Sequence, residues 1–455
     1  MNLKRKQTFA IRKLLILDYI TAIIAWSLFW IYRQEWLNEV YPSIYDKTRN
    51  WNFRDYYLSL LIVPLCWLFC YYVVGTYYDL YRKSRIIEVI RTFVASVIGA
   101  LLLGFIAFAN DVDSFKYFFE ITILYMLTHF IIVTASRLIL LSNIKNELIK
   151  GKVYYNTIIV GGNGKAVKAY KDLNNNPQVL GNSVVGFVNV DPNVATYGVD
   201  GLPILGNVQD IESIIATHQI EEVIIALESH EHSLIEKIII KLSYNNVIVK
   251  VLPDMYDYIS GSIKINNIFQ PVFLTIHPEL LPDWQKSMKR VIDILISLMT
   301  IVVLSPLYLF AAVKTKLSSY GPIFFRQERI GLNGIPFNIL KFRSMYLDAE
   351  QNGPQLSSDH DQRITPWGKI MRKWRIDEIP QFFNVLKGEM SLVGPRPERA
   401  FFIEQIVQTH PHYKYLHRVK PGITSWGMVE FGYAENINQM IDRMRFDLLY
   451  IQNCS

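Results

Sequence analysis

Hydrophobic residues follow two different rhythms along the chain, and the change of rhythm divides it. Four apolar runs open the sequence, Leu14–Tyr32, Tyr56–Tyr78, Thr92–Ala109 and Tyr117–Leu141. Each is close to the roughly 20 residues a helix needs to cross the apolar core of a bilayer. From about Lys152 shorter runs take over. Thr157–Val160, Val184–Val190, Glu222–Ala226 and Val247–Val251 read as buried strands separated by helical stretches, the alternation of a small doubly wound α/β domain. Pro253–Pro282 has several prolines and no period, and reads as a linker. One more long apolar run follows, Val291–Val313, with Ser305-Pro306 in its interior. Pro306 removes the hydrogen bond to the Val302 carbonyl, and its ring forces a bend. Lys286, Lys289 and Arg290 precede this run and Lys314 and Lys316 follow it, so both ends favour the cytoplasmic face. The pattern predicts a helix over 289–316 that enters the membrane, breaks and returns, with an ordinary kinked transmembrane helix as the alternative.

The same charge rule orients the opening runs. Lys4, Arg5, Lys6, Arg12 and Lys13 precede the first, Arg82, Lys83, Arg85 and Arg91 join the second to the third, and Lys145, Lys150 and Lys152 follow the fourth. Asp111 and Asp113 face only Lys116 between the third and fourth. A four-helix transmembrane bundle over residues 1–150 is expected, with both ends cytoplasmic and no cleaved signal peptide. Asp18, His129 and Arg137 fall in or near the spans, where pairing between helices or snorkelling is their expected role. The further boundaries are an α/β domain over 151–265, a linker over 266–284 and a C-terminal domain over 285–455.

Composition sharpens this division. Hydrophobic residues make up 51% of the 455 and aromatic residues 13%, in keeping with membrane segments. Three cysteines, two of them (Cys66 and Cys70) inside an apolar run, indicate neither a disulfide framework nor a zinc site. The net charge of +7 is unevenly placed: residues 1–283 carry 25 Lys/Arg against 25 Asp/Glu, and residues 284–455 carry 22 against 15. A basic C-terminal region suits anionic head groups and phosphorylated substrates. No zinc finger, aromatic ribonucleoprotein motif or basic helix supports nucleic acid as the partner. His410, His412 and His417 lack metal-ligand spacing and read as surface or loop residues.

The C-terminal domain holds the residues suited to chemistry. Gly321–Arg329 and Phe337–Arg343 read as paired strands around an Asn333-Gly334 turn, and Ile364–Trp374 as a basic helix. Asp377-Glu378-Ile379-Pro380 then reads as a helix start, with Asp as N-cap, Glu in the first turn, and Gly388 stopping the helix. A helix N-terminus favours an ionised carboxylate and a bound phosphate, so Asp377 is expected to be charged at neutral pH. A nucleophilic Asp, a neighbouring acid for a divalent cation, and Arg372 and Arg396 for phosphates are the parts of a phosphoryl-transfer site. Pro395 and Pro397 stiffen the loop that carries Arg396.

The order of motifs is specific. Lys289-Arg290-x-x-Asp293, Ser305-Pro306, Phe325-x-Gln327-x-Arg329-x-Gly331, Lys341-Phe342-Arg343-Ser344-Met345, Asp377-Glu378-x-Pro380-Gln381, Gly394-Pro395-Arg396-Pro397 and Pro421-Gly422-Ile423-Thr424 follow one another. This series, over about Gln285–Asp447, resembles the bacterial sugar transferases, the monotopic polyprenyl-phosphate glycosyl-1-phosphate transferases. The N-terminal half resembles, in architecture, their large undecaprenyl-phosphate hexose-1-phosphate branch. The resemblance implies a membrane α+β fold: a four-helix transmembrane bundle, a Rossmann-like α/β middle domain, and a C-terminal catalytic domain with a re-entrant membrane helix. It implies transfer of a sugar-1-phosphate from a UDP-sugar to undecaprenyl phosphate, releasing UMP, through an aspartyl phospho-sugar on Asp377. Such a reaction starts capsule, exopolysaccharide or O-antigen (lipopolysaccharide) synthesis. Glu378 would hold Mg²⁺ or position the acceptor phosphate. Arg372, Arg396, Lys341, Arg343, Arg329 and Pro395 would bind substrate phosphate or nucleotide, with pairing to structural carboxylates the alternative for Lys341 and Arg343. The protein would be a homodimer in the bacterial inner membrane, its catalytic domain on the cytoplasmic face.

The sequence departs from that pattern twice. Ser425-Trp426-Gly427-Met428 stands where relatives usually read Gly-Leu-x-Gln, a region suited to shaping sugar preference, and many relatives continue past the segment matching Phe446–Asn453. Two other functions compete. A membrane-tethered, NAD-dependent nucleotide-sugar dehydratase or epimerase would use Gly161-Gly162-Asn163-Gly164, but Val167 occupies the third glycine position and no Tyr-x-x-x-Lys pair occurs. A non-catalytic polysaccharide-assembly scaffold would tolerate loss of the acidic dyad.

Overall fold

The computed structural model describes residues 3–40, 53–108, 115–162, 164–174, 181–190, 201–227, 231–245, 247–253, 273–276, 281–349, 353, 355, 361–432, 434 and 436–453. Asp111, Asp113 and Asn163 lie outside them. The described residues cluster into two compact units, one of Met1–Tyr154 with Asp283–Met288, the other of Tyr155–Pro282 with Lys289–Ser455.

The first unit contains four helices: α1 (Leu3–Val40), α2 (Phe53–Val73), α3 (Arg85–Leu103, running into a π-helical turn Gly104–Phe108) and α4 (Phe115–Ile149). All four contain stretches long and apolar enough to cross a membrane. Their outer faces carry Ile16, Leu61, Ile90 and Ile131, each more than half exposed, while aromatic residues such as Trp26, Trp67, Tyr71 and Tyr125 fill the interior. The polar groups placed in these runs turn inward and pair. Arg137 grips Asp18 through Nε (2.9 Å) and Nη2 (2.7 Å), and its Nη1 reaches Glu88 (3.2 Å) and Thr92 (2.9 Å). His129 stacks on Trp67 and shares a 2.7 Å hydrogen bond with the Tyr71 hydroxyl. Burying these charges is tolerable because each meets a partner.

In the second unit a six-stranded sheet has the order β3-β2-β1-β4-β5-β6. Its strands are β1 (Tyr155–Val160), β2 (Asn182–Asn189), β3 (Ile204–Asn207), β4 (Glu222–Ile225), β5 (Ile248–Val251) and β6 (Leu274–Ile276). The first five are parallel and β6 is antiparallel. The helices α5 (Gly164–Asn174), α6 (Ile211–His218) and α7 (His232–Lys241) cover the sheet. Strand alternation assigns the faces: Ile158 and Val160 pack with Ile211, Ile214 and Ile238, and Ile159 packs with Ala166 and Ala169 of α5. This is the doubly wound topology the alternation predicts. Two short edge strands differ from the sequence reading, since β3 has no counterpart in it and β6 is built from the stretch read as linker.

The long interrupted apolar run forms two helices, α8 (Asp283–Val303) and α9 (Ser305–Ser318), bent by 63° at the break. Pro306 sits in the first turn of α9, where its missing N–H costs no helical bond. A hairpin of β7 (Phe324–Ile330) and β8 (Pro336–Phe342) follows, then α10 (Pro366–Lys373), capped by the Thr365 hydroxyl accepting from the Gly368 N–H (2.9 Å). Next come α11 (Gln381–Lys387), β9 (Ser391–Val393), α12 (Ala400–Thr409), β10 (Gly422–Thr424), α13 (Trp426–Glu430) and α14 (Ile437–Asn453). His417 corrects the sequence reading of the histidines. It is buried, its Nδ1 lies 2.8 Å from the Tyr244 hydroxyl, and burial lowers its pKa to about 4.

Candidate active site

The acidic dyad does not start an α-helix. Ile376–Glu378 is a single 3₁₀ turn, and α11 begins only at Gln381. Arg375 enters this turn with φ +57°, a left-handed conformation uncommon outside glycine. The Asp N-cap expected at 377 is thus replaced by a tight turn that buries both carboxylates, Asp377 at 6% exposure and Glu378 at 8%. Gly388 ends α11 as expected, in the left-handed region at φ +88°.

The two acids sit in different surroundings. Glu378 Oε1 accepts from Lys341 Nζ (2.7 Å) and from Arg396 Nη2 (3.3 Å), and its Oε2 lies 3.9 Å from Arg375. Burial alone would raise its pKa, but Lys341 and then Arg396 outweigh it and hold the carboxyl well below the usual range. Asp377 Oδ1 is buried with no hydrogen-bond partner among the described residues. Burial pushes its pKa up, opposed first by Lys341. One carboxylate is clamped and the other is left with an uncommitted oxygen. Arg372 completes the surroundings: its charge acts on Asp377, and its Nε donates to Ser344 Oγ (3.0 Å).

Other residues singled out in the sequence hold this arrangement rather than join it. Arg343 turns away, donating to the carbonyls of Ser319 (2.6 Å) and Tyr320 (2.9 Å). A Cβ on Gly321 would lie 1.9 Å from its Nη1, so only glycine leaves room for that path. Arg329 pairs with Glu398 (3.1 Å), which also holds Arg443 (2.7 Å). The Pro395 carbonyl accepts from the Gly422 N–H (2.9 Å). Arg290 donates to the carbonyls of Val385 (2.6 Å) and Leu386 (2.8 Å) at the end of α11. Lys289 reaches the Val393 carbonyl (3.0 Å), and Asp293 accepts from Ser391 Oγ (2.8 Å) and the Leu392 N–H (3.1 Å). From α9, the Tyr308 hydroxyl donates to the Ile379 carbonyl (2.6 Å).

Two motifs far apart in sequence meet through their backbones. Strands β9 and β10 pair in parallel, and a Cβ on Gly394 would fall 2.2 Å from the Lys420 carbonyl oxygen. Gly394→Ala should therefore part these strands and cost about 1–3 kcal/mol, read as a lower midpoint in thermal unfolding of the purified protein. An unchanged midpoint would contradict this packing.

The family model for bacterial sugar transferases matches residues 284–455, and one described as a CoA-binding domain matches residues 72–253. A UDP-glucose:undecaprenyl-phosphate glucose-1-phosphate transferase of Xanthomonas campestris pv. campestris is 32% identical over 333 residues, covering 70% of this chain and 67% of that protein. The chain belongs to the bacterial sugar transferase family. An Escherichia coli (strain K12) protein of the same name is 29% identical over 408 residues, 87% of this chain and 85% of the relative. A UDP-N-acetylgalactosamine-undecaprenyl-phosphate N-acetylgalactosaminephosphotransferase of Aeromonas hydrophila is 40% identical over 220 residues. That match spans about half of each chain, 48% of this one and 51% of the relative.

In this sugar transferase the unusual segment Ser425–Met428 lies against the site. Met428 Sδ is 3.2 Å from Arg396 Nη1, so residue 428 touches the cation that clamps Glu378. Ser425 caps α13 by accepting from the Met428 N–H (3.0 Å), and Asp447 accepts from the Gly427 N–H (2.8 Å). Arg375, Glu398, Arg443 and Asp447 were not legible as site residues. Glu398 directly follows the Gly394–Pro397 motif and could have been found by that position. The left-handed Arg375 and the distant helix α14 left no local signal.

Proposed function

We propose that this sugar transferase moves a sugar-1-phosphate from a UDP-sugar to undecaprenyl phosphate, with Asp377 as the nucleophile. The observation that carries this reading is the asymmetry of the dyad: Glu378 is held by two cations, while the buried Asp377 Oδ1 has no hydrogen-bond partner among the described residues. In the first step Asp377 attacks the sugar-bearing phosphorus and the bond to UMP breaks. The resulting aspartyl phospho-sugar is then attacked by the phosphate oxygen of the polyprenol, which restores the carboxylate and leaves the polyprenyl-diphospho-sugar. Arg396, Lys341 and Arg372 neutralise charge around these oxygens.

The carboxylates suit Mg²⁺. Among the described residues no group of three or more metal-ligating side chains occurs, and Mg²⁺ is commonly held by one or two carboxylates together with substrate phosphates. Glu378 would help hold it beside the substrate phosphates, and when bound it would supply neutralisation of phosphate charge. The reading includes a homodimer in the inner membrane, the bent pair α8–α9 as a re-entrant hairpin, the catalytic region on the cytoplasmic face, and a role in the first membrane step of surface polysaccharide synthesis.

Relatives' names include both glucose and N-acetylgalactosamine donors, so a panel should offer UDP-glucose, UDP-galactose and their N-acetylated counterparts. With undecaprenyl phosphate and Mg²⁺ present, UMP is expected from at least one donor and is expected to cease on chelation. Absence of UMP across the panel would reject the reaction.

A further inference from the structure

A second cationic cluster lies at the base of the bent helix pair. A Cβ placed on Gly388 would sit 3.4 Å from Arg290 Nη2 and 3.6 Å from Lys420 Nζ. Two like charges thus converge on one space that the glycine leaves open, an arrangement that repels itself unless an anion lies between them. No hydrogen-bond or ion-pair partner of the Lys420 ammonium occurs among the described residues. Of the nearby acids, Asp293 acts on Lys420 by its charge but is hydrogen-bonded to Ser391 and Leu392 and lies 4.0 Å from Lys289, and Glu389 accepts from Asn384 Nδ2 (2.6 Å). Arg290 uses one proton on each terminal nitrogen for the carbonyls of Val385 and Leu386, and a guanidinium carries a second proton on each.

We propose that Arg290, Lys420 and the open space over Gly388 bind the phosphate group of a membrane lipid. A lipid is favoured over a soluble phosphate because the run Val291–Val303 starts at the next residue. Its Leu295, Met299, Val302 and Val303 are all at least 60% exposed, as lipid-facing side chains would be. Two like charges facing one open space make such a site unfavourable empty and favourable when filled by phosphate oxygens. The lipid could be the polyprenyl phosphate acceptor or a phospholipid of the surrounding bilayer, and the acceptor alternative rests on the function proposed above.

The test uses the full chain in phosphatidylcholine nanodiscs, with and without phosphatidylglycerol. Wild-type release of UMP without acceptor reads the proposed reaction by itself. For Lys420→Ala, a KM for undecaprenyl phosphate raised about tenfold with little change in kcat, and recovery in Lys420→Arg, would identify the acceptor phosphate. An unchanged KM with loss of a wild-type response to phosphatidylglycerol would identify a phospholipid head group. If wild type releases no UMP, binding of labelled phosphatidylglycerol by wild type and Lys420→Ala still reads the site. Equal behaviour of the two proteins in every arm, or a fall in kcat with KM unchanged, would overturn the proposal.

Discussion

Asp377→Asn should abolish UMP release from UDP-sugars, by at least about 10³-fold, with or without polyprenyl phosphate. The substitution keeps the shape and burial of the side chain and removes only the nucleophilic charge. Since Oδ1 has no hydrogen-bond partner among the described residues, the variant should unfold at a midpoint close to that of wild type. A single-turnover assay for UMP, alongside thermal unfolding, separates lost chemistry from lost fold. UMP release at the wild-type rate would remove Asp377 from the role proposed for it.

Lys341→Met should lower UMP release on the order of 10²-fold and also move its pH dependence. Asp377 must be ionised to attack. Burial raises its pKa, and Lys341 is the strongest of the groups that pull it down again. The rate should therefore fall as pH drops through this raised pKa, at a higher pH than an ordinary aspartate would give. Removing Lys341 raises the pKa further, so the acidic limb of the profile should shift to still higher pH. Glu378 keeps Arg396 as a partner and stays charged. Rate profiles of wild type and variant across the acidic range measure the shift, and superimposable limbs would show that Lys341 does not act on the nucleophile.

Long-period features were the most legible in the sequence. The four apolar helices, the inward pairing of Asp18 with Arg137 and the parallel strands follow from length, periodicity and the cost of unpaired charge in an apolar interior. The short edge strands were not legible, because β6 has three residues among prolines and takes its position from pairing with β5. At the site, the motifs named the right neighbourhood but not each residue's task. Lys341 and Arg396 converge on Glu378, whereas Arg343 is drawn away by backbone carbonyls and Arg329 by Glu398. Sequence spacing cannot distinguish a cation that faces the dyad from one that braces its support, since β8 carries Lys341 and the adjacent Arg343 follows on a path set by Gly321. The turn at Asp377 escaped for a similar reason: local capping preference favours a helix start, and tertiary burial of Asp377 and Glu378 overrides it.

Arg290 and Tyr308 come from opposite arms of the bent helix pair, and between them they grip the peptide just after the dyad and the far end of α11. In the reading proposed above, the Asp377 carboxyl is therefore mounted on a membrane hairpin, not on a free loop. On that reading its height is inherited from how deeply the hairpin seats, so a change of lipid thickness would carry the carboxyl along with its anchor.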